Sequence, residues 1–333
     1  MNSLSSKLAE GVKCPVCNTD CSQPPLYRYS LEQATNHFCS ATRNLERHER
    51  LKKVIHRLWQ GNECVILQCP NCGFAFGYPF VGGDEEFYHI LHEQKGYPSW
   101  RWDYDIAIQE VLAPLKAGKI LEIGAGAGVF LQKLPSDWSP FAMEGSETTR
   151  TALEALNITV FRDFPEIHQF NYGNFQVITM FQVLEHIADF RPVLEQCRQL
   201  IATNGKIIIT VPDGDAMIRQ EKITGCPDMP PCHINKWTPD SLSLALIEAG
   251  FTPKKVIFEP KSWFNFRSSL YLRVLADASN PKSLAAQVYR VQNKTLRIPL
   301  LTCLGLIALI KMIPHFSDIS KGGAFAIIAD VSS

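Results

Sequence analysis

Two cysteine pairs, Cys14-x-x-Cys17 and Cys69-x-x-Cys72, with 51 residues between them, carry the sharpest chemical signal in this chain of 333 residues. Both "CPVC" and "CPNCG" have the turn-forming residues that aim two thiolates at one point. Two such pairs make a closed tetrahedral site for Zn2+, structural because no position is left for a substrate. One pair alone would equally suit a redox dithiol. Cys21, Cys39 and Cys64 lie in the same stretch and are candidate substitutes for a ligand.

A second constellation begins in "KILEIGAGAGVF", residues 119–130. An apolar run ends in Glu122 and breaks into Gly124, Gly126 and Gly128, as a strand entering a glycine turn does. The spacing is G-x-G-x-G. Val129 stands where a dinucleotide fingerprint needs its third glycine, and no lysine followed by Ser or Thr makes a phosphate loop. The next apolar run, "PFAMEG", ends at Glu144, eighteen residues after Gly126, where a carboxylate can accept both hydrogen bonds of a ribose diol. Glu122 can meet a cationic amino group. The set fits an ammonium-bearing nucleoside better than a pyrophosphate. A flavin or nicotinamide site, or a glycine turn that only packs, is the alternative.

The elements that must position these residues can be read from periodicity. "KILEIG", "PFAMEG", "ITVF", "FQVITMF" and "KIIITVP" read as strands. Helices are expected over 126–134, 146–156, 190–202 and 239–249. Apolar strands alternating with amphipathic helices imply βαβ units and a parallel sheet, with ligands at its carboxyl edge. Lys plus Arg and Asp plus Glu each number 33, so no global basic field draws nucleic acid. The N-terminus lacks the apolar core of a signal peptide. The eleven cysteines, seven of them before residue 83, are read as free thiols or metal ligands in a reducing compartment. The expected location is cytoplasmic, with membrane association left open.

Residues 118–258 resemble a class I S-adenosylmethionine-dependent methyltransferase. "ILEIGAGAG" is similar to the family's first motif and "FAMEGS" to its second. "FQVITMFQVLEHIADFRPVLEQCRQLIATNGKIIITVPD" is similar to its fourth and fifth, and the terminal "GGAFAIIADV" to its antiparallel last strand. The resemblance implies an α/β fold with a seven-stranded Rossmann-like sheet. It implies S-adenosyl-L-methionine as cofactor, with Gly124, Ala125 and Gly126 behind its methionine portion. Glu144, with Gly145 and Ser146 beside it, would hold the ribose. Asp163 and Phe164 would flank the adenine, and Phe181 and Gln182 would line the floor beneath the sulfonium. Asp163 could equally be a surface acid, and Gln182 could contribute only its backbone. The cysteine module resembles the small zinc domain ahead of certain bacterial sugar C-methyltransferases.

Methyl transfer is an in-line displacement. The protein must position the acceptor, exclude water and, for a hydroxyl or carbon acid, remove a proton. His186, just after the fourth strand, is the candidate base, with Glu185 orienting it. Alternatively "EH" merely caps the next segment. Ubiquinone-type methyltransferases are similar here but hold a metal with E-x-x-E-H. Gln182 replaces the first carboxylate, which disfavours a catalytic divalent ion. His233, in "PPCHINKW", is a second candidate for the acceptor side, or a structural loop histidine.

The expected organisation has three parts. Residues 1–82 form a zinc-ribbon-like module whose insert, 41–60, is a helix with Leu51, Val54, Ile55, Leu58 and Trp59 on one face. Its other face is basic, either solvated or meeting an anionic acceptor or partner. Residues 83–117 form an aromatic cap with Tyr88, His89, Tyr97, Trp100, Trp102 and Tyr104, an acceptor wall or interdomain core. Residues 118–333 form the methyltransferase domain, with an apolar helical insertion near 285–316. "IPLLTCLGLIALI" is too short to span a bilayer. It suits a buried helix, a dimer surface or peripheral membrane contact through 298–313. The oligomeric state is not legible. The expected acceptor is a sugar or other hydroxylated metabolite, small or carrier-linked. A non-catalytic binding or assembly protein is the alternative, and nucleic-acid methylation a weaker one.

Overall fold

The first elements wrap the cysteine pairs. A bridge between Lys13 and Asp20 closes the loop that bears Cys14 and Cys17. Then follow β1 (Tyr27–Ser30), α1 (Leu31–Phe38), α2 (Leu45–Trp59), β2 (Glu63–Gln68) and β3 (Ala75–Tyr78). The structure is a computed structural model that describes residues 11–93, 100–169, 174–279, 282–319 and 322–332; Tyr97 lies outside them. The helix expected over 41–60 starts at Leu45, because the Asn44 side chain caps it by accepting from the Arg47 N–H. Its five expected apolar residues are all buried. The basic face is not wholly solvated. Arg47 turns inward, 4% exposed, and donates to the carbonyls of Ile90 and Leu91 at 3.0 and 2.9 Å. This fixes α3 (Glu85–His92) against α2. The cap continues through α4 (Trp102–Ala107), a π-helical turn over Ile108–Leu112 and α5 (Ala113–Leu115).

The second unit comprises β4 (Gly118–Ile123), β5 (Trp138–Met143), α6 (Glu147–Glu154), β6 (Thr159–Phe161), α7 (Phe164–Gln169) and β7 (Phe175–Phe181). It continues with α8 (Phe190–Leu200), β8 (Ile201–Pro212), α9 (Gly214–Thr224), β9 (Asn235–Lys236), α10 (Pro239–Glu248) and β10 (Phe251–Phe258). Then come α11 (Trp263–Ser279), α12 (Leu284–Arg290), α13 (Lys294–Met312), α14 (Phe316–Ile319) and β11 (Ala324–Val331). The large sheet has the order β10-β11-β8-β7-β4-β5-β6, with β11 antiparallel to both neighbours and the five strands from β8 to β6 parallel. Its central strands are buried almost throughout, which explains their near-continuous apolar runs.

Three expectations need correction. The helix expected over 126–134 is a turn with one 3-10 segment, Leu131–Lys133. Gly126 and Gly128 adopt φ of 52° and 68°, which stops helix propagation, and Pro135 leaves too few residues to restart it. The helix expected to reach residue 202 ends at Leu200, because β8 begins at Ile201. The insertion is wider than 285–316, running from Trp263 to Ile319 and holding, among the described residues, four α-helices and a 3-10 turn over Ile313–His315.

The two units share a core. The small sheet has the order β1-β2-β3-β9, so its fourth strand comes from residues 235–236 of the second unit. Trp237, fully buried, lies 4.6 Å from the Phe74 ring and 4.9 Å from Phe190. One apolar cluster joins Cys14, Cys69 and Phe76 to Phe190, Leu194 and Ile209. Trp237→Ala should therefore destabilise the protein by about 3–5 kcal/mol. Urea titration followed both by circular dichroism and by cysteine labelling should show the two signals moving together. Separate transitions would contradict the shared core.

Candidate functional site

The carboxyl ends of β4 and β5 bring the glycine turn against Glu144. Gly124 has φ of 72°, and a Cβ there would lie 2.6 Å from Val183 Cγ2, so the turn approaches its neighbour as closely as only glycine allows. The Gly126 N–H donates to Glu144 Oε2 at 3.0 Å and the Ser146 N–H to Oε1 at 3.1 Å. The carboxylate thus sits across the turn. Ala125 is buried, Gly145 has open space where a side chain would stand, and Ser146 caps α6 through Thr149 N–H. Glu122 is 2% exposed, and its Oε2 has no hydrogen-bond partner among the described residues. Burial pushes its carboxyl well above the usual range; Arg101 opposes this, while Asp103 and Glu144 add to it. Asp103, fully buried, pairs with Arg101 and accepts from Thr210 Oγ1 at 2.8 Å. A buried acid with one unpartnered oxygen beside a glycine cradle suits a ligand that carries positive charge and presses against backbone.

The remaining residues expected around a cofactor are spread along the same edge. Asp163 accepts from the Glu166 N–H at 3.0 Å at the start of α7 and pairs with Arg162 at 2.9 Å. Phe164 begins α7 and is half-buried. The Phe181 ring packs edge-on against Tyr104 and Phe130, each 5.0 Å away. Gln182 has φ of 58°, and its N–H donates to the Thr210 carbonyl at 2.9 Å. A non-glycine residue in the left-handed region directly after a central strand stores strain at the site's edge.

Beyond β7, a 3-10 turn over Leu184–His186 holds the acid–histidine pair. Glu185 is 1% exposed, and neither carboxylate oxygen has a hydrogen-bond partner among the described residues; Oε1 lies 3.9 Å from His186 Nε2. Burial pushes the Glu185 carboxyl up to about 7, against the pull of His233 and Arg101. His186 Nδ1 lies 2.6 Å from the Cys232 carbonyl and 3.0 Å from Tyr88 Oη, which itself donates to that carbonyl at 3.2 Å. A carbonyl only accepts, so Nδ1 carries the proton in the neutral ring and Nε2 is the basic nitrogen. The His233 ring is 4.7 Å from His186, and its Nδ1 is 2.7 Å from Asp228 Oδ1. Burial alone would lower His233, but the Asp228 carboxylate outweighs it and raises it. Donor atoms of His186, Cys232 and His233 lie within 4.8 Å of one another. Two imidazoles and a thiol are not the oxygen set that magnesium prefers.

The cysteine pairs converge as well. The sulfurs of Cys14, Cys17, Cys69 and Cys72 all lie within 4.8 Å of one another, with Cys14–Cys72 at 3.6 Å and Cys17–Cys69 at 3.4 Å. Four sulfurs at these spacings match the edges of a tetrahedron with metal–sulfur bonds of about 2.3 Å. A hydrogen bond from Cys72 holds the Cys14 thiol down, to about 5. Cys21 is adjacent, but burial pushes its thiol up to about 12. Cys39 and Cys64 are buried elsewhere, in the cluster behind α2.

Comparison with known proteins bears on this geometry. Residues 100–256 match the family model described as a methyltransferase domain. The match covers a little under half of the chain. No curated protein matches it. Among solved structures, a SAM-dependent methyltransferase from Archaeoglobus fulgidus is 15% identical, over 73% of this chain and 99% of its own, with a TM-score of 0.42. Haemonchus contortus phosphoethanolamine N-methyltransferase 2, in complex with S-adenosyl-L-methionine, is 14% identical over 74% of this chain and 56% of its own, with a TM-score of 0.42. The [4+2]-cyclase SpnF is 14% identical over 72% and 85%, with a TM-score of 0.43. At such identities the substrates of these proteins do not carry over.

Within residues 100–256, sequence reasoning missed Arg101, Asp103, Asp228 and Cys232. Arg101 and Asp103 fall in a stretch that reads, from sequence, as rich in aromatics and acids. Asp228 precedes "PPCH", but nothing in its spacing points to His233. From sequence Tyr88 reads as acceptor wall or interdomain core, and nothing local marks it as a hydrogen-bond partner of a histidine. Glu185 yields a pH test. The folded protein holds its proton up to about pH 7, whereas the unfolded chain releases it near 4.5. Its contribution to stability therefore falls as pH rises through that window. Glu185→Gln removes this titration. Denaturation midpoints should show the variant gaining on the wild type from pH 5 to 7 and then levelling; a gap independent of pH would show that Glu185 is ionised throughout.

Proposed function

We propose that the protein is an S-adenosylmethionine-dependent methyltransferase acting on a hydroxylated acceptor, a sugar or related metabolite, free or carrier-linked. The observation that carries this reading is the Glu144 carboxylate held across the glycine turn by the Gly126 N–H. When bound, S-adenosylmethionine supplies a methyl group on a good leaving group. Glu144 would hold the ribose diol, and Glu122 would face the cationic end of the ligand. Gly124, Ala125 and Gly126 would back the methionine portion. Asp163 and Phe164 would sit by the adenine, and Phe181 and Gln182 beneath the reacting centre. His186 would take the acceptor's proton at Nε2, because Nδ1 is committed to the Cys232 carbonyl and Tyr88. Glu185 would support the charge that His186 then gains, while His233, braced by Asp228, would shape the acceptor side.

The four-cysteine cluster is proposed as a structural zinc site, and its donor set leaves no open position for chemistry. Elemental analysis of protein purified without added metal should find one zinc per chain, lost in Cys69→Ser. Calorimetry should show S-adenosylhomocysteine binding and no response to NAD. Glu144→Ala should weaken that binding by about 1–3 kcal/mol, the scale of hydrogen bonds to a charged group. Once an acceptor is in hand, His186→Gln should slow turnover about 10²–10⁴-fold with cofactor affinity little changed. Loss of cofactor binding in His186→Gln would instead make the histidine part of the pocket wall.

A further inference from the structure

The insertion between β10 and β11 is the part of the molecule that the proposed chemistry does not use. Within it, Lys294–Asp318 is a 25-residue helical stretch that is long and apolar enough to cross a membrane, yet only 11% of its most apolar window is buried. Ile298, Leu306, Ile310 and Ile313 are 53–70% exposed in company with Ile307. Of the side chains on α13, only Ala308 and Met312 are buried, Met312 against Phe266. At about 100° per residue, the exposed apolar side chains from Leu296 to Ile313 spread over an arc of about 200°. The three basic residues of α13, Lys294, Arg297 and Lys311, fall in the remaining arc. A helix seam with a second copy needs only a stripe of about 100°.

Charge separates the insertion from the rest of the chain. Residues 259–323, the whole connection between β10 and β11, contain nine lysines and arginines against two aspartates and one glutamate, within a chain whose totals are 33 and 33. The insertion therefore carries a net +6 and the remainder −6. Two copies meeting through this face would bring like charges together, whereas an anionic bilayer would attract them. Trp263, Tyr271 and Phe316 are exposed on the same insertion, and such aromatics favour the headgroup level.

Topology decides how the helix meets the bilayer. The insertion leaves β10 and returns as β11 in the same sheet, where Phe258 pairs with Phe325. A single crossing would place β11 on the opposite side of the membrane from β10. The other long helix, α11, contains Arg267, Arg273 and Asp277 and cannot supply a return span. The uninterrupted apolar run, residues 298–310, is about 20 Å long, short of a hydrocarbon core of about 30 Å. We infer that α13 lies in one leaflet of an anionic membrane, with its apolar arc among the acyl chains and the insertion's cations at the headgroups. The insertion leaves β10 and enters β11 beside the end of β8, where the Asp213 N–H donates to the Gly323 carbonyl at 2.9 Å, so docking brings the edge bearing His186 and Glu144 to the membrane surface. The inference does not depend on methyl transfer being the activity.

Flotation of the full-length, metal-replete protein with vesicles tests it. The protein should float with phosphatidylcholine vesicles containing 30% phosphatidylglycerol and remain at the bottom with pure phosphatidylcholine. Raising the salt to 0.5 M should release at least half of it. L306E/I310E should lose vesicle binding at least tenfold while keeping the wild-type melting temperature and S-adenosylhomocysteine affinity. Equal flotation with neutral and anionic vesicles, or unchanged flotation of the variant, would overturn the inference. So would a wild-type dimer in light scattering that ignores vesicles and is split by L306E/I310E, since the face would then join copies of this chain.

Discussion

The docking of the cysteine knuckles onto the segment after β7 is the constraint on which the rest of the site depends. The Arg191 guanidinium, on α8, donates to the carbonyls of Pro15 and Val16 in the first knuckle. Thr238, at the start of α10, donates to the Cys72 carbonyl in the second at 3.3 Å. Between these grips, β9 pairs with the edge of β3 and so satisfies backbone groups that would otherwise be exposed. The Asn235 side chain then donates to the carbonyls of Leu184 and Ile187, on either side of the acid–histidine pair. A Cβ on Gly82 would lie 2.4 Å from the His186 carbonyl. His186 is thus set by a strand end on one side and by the cysteine module on the other. Catalytic geometry needs such support from groups that never touch a substrate.

The acids around the site are stabilised unequally, and the inequality is informative. Asp103 is compensated by Arg101 and Thr210. His233 and Lys236 outweigh burial at Asp228 and hold its carboxyl below the usual range. At Glu122 and Glu185 burial outweighs the neighbouring cations and holds both toward their neutral forms. A large apolar sheet can tolerate two such groups, and their position at the carboxyl edge is where a ligand would complete them. Gln182 belongs with them, as backbone strain placed where the sheet ends and the site begins.

Much of this was legible in the sequence because the signals were local. The glycine spacing, Glu144 eighteen residues on, the two C-x-x-C pairs and the apolar strands each report on a few neighbouring residues. Fine boundaries failed where a local signal was overridden. The 126–134 stretch has helical composition but contains two glycines in the left-handed region. The basic face of α2 looked solvated, yet Arg47 finds two carbonyls of α3 that no pattern within the helix could announce.

Sequence alone determined the sheet, the glycine turn with its facing acid, and the thiol pairs, since strand period, turn chemistry and knuckle spacing are short-range properties. Only the tertiary structure decided what those pieces do to one another. Asp228 reaches His233 and Tyr88 reaches His186 across 98 residues, through a loop whose path is set by pairing with β3. From sequence the apolar run at 298–310 suits a buried helix, a dimer surface or membrane contact, because hydrophobicity states a preference and not a partner. Its exposure follows from the sheet, whose last two strands hold both ends of the insertion and leave α13 outside the core.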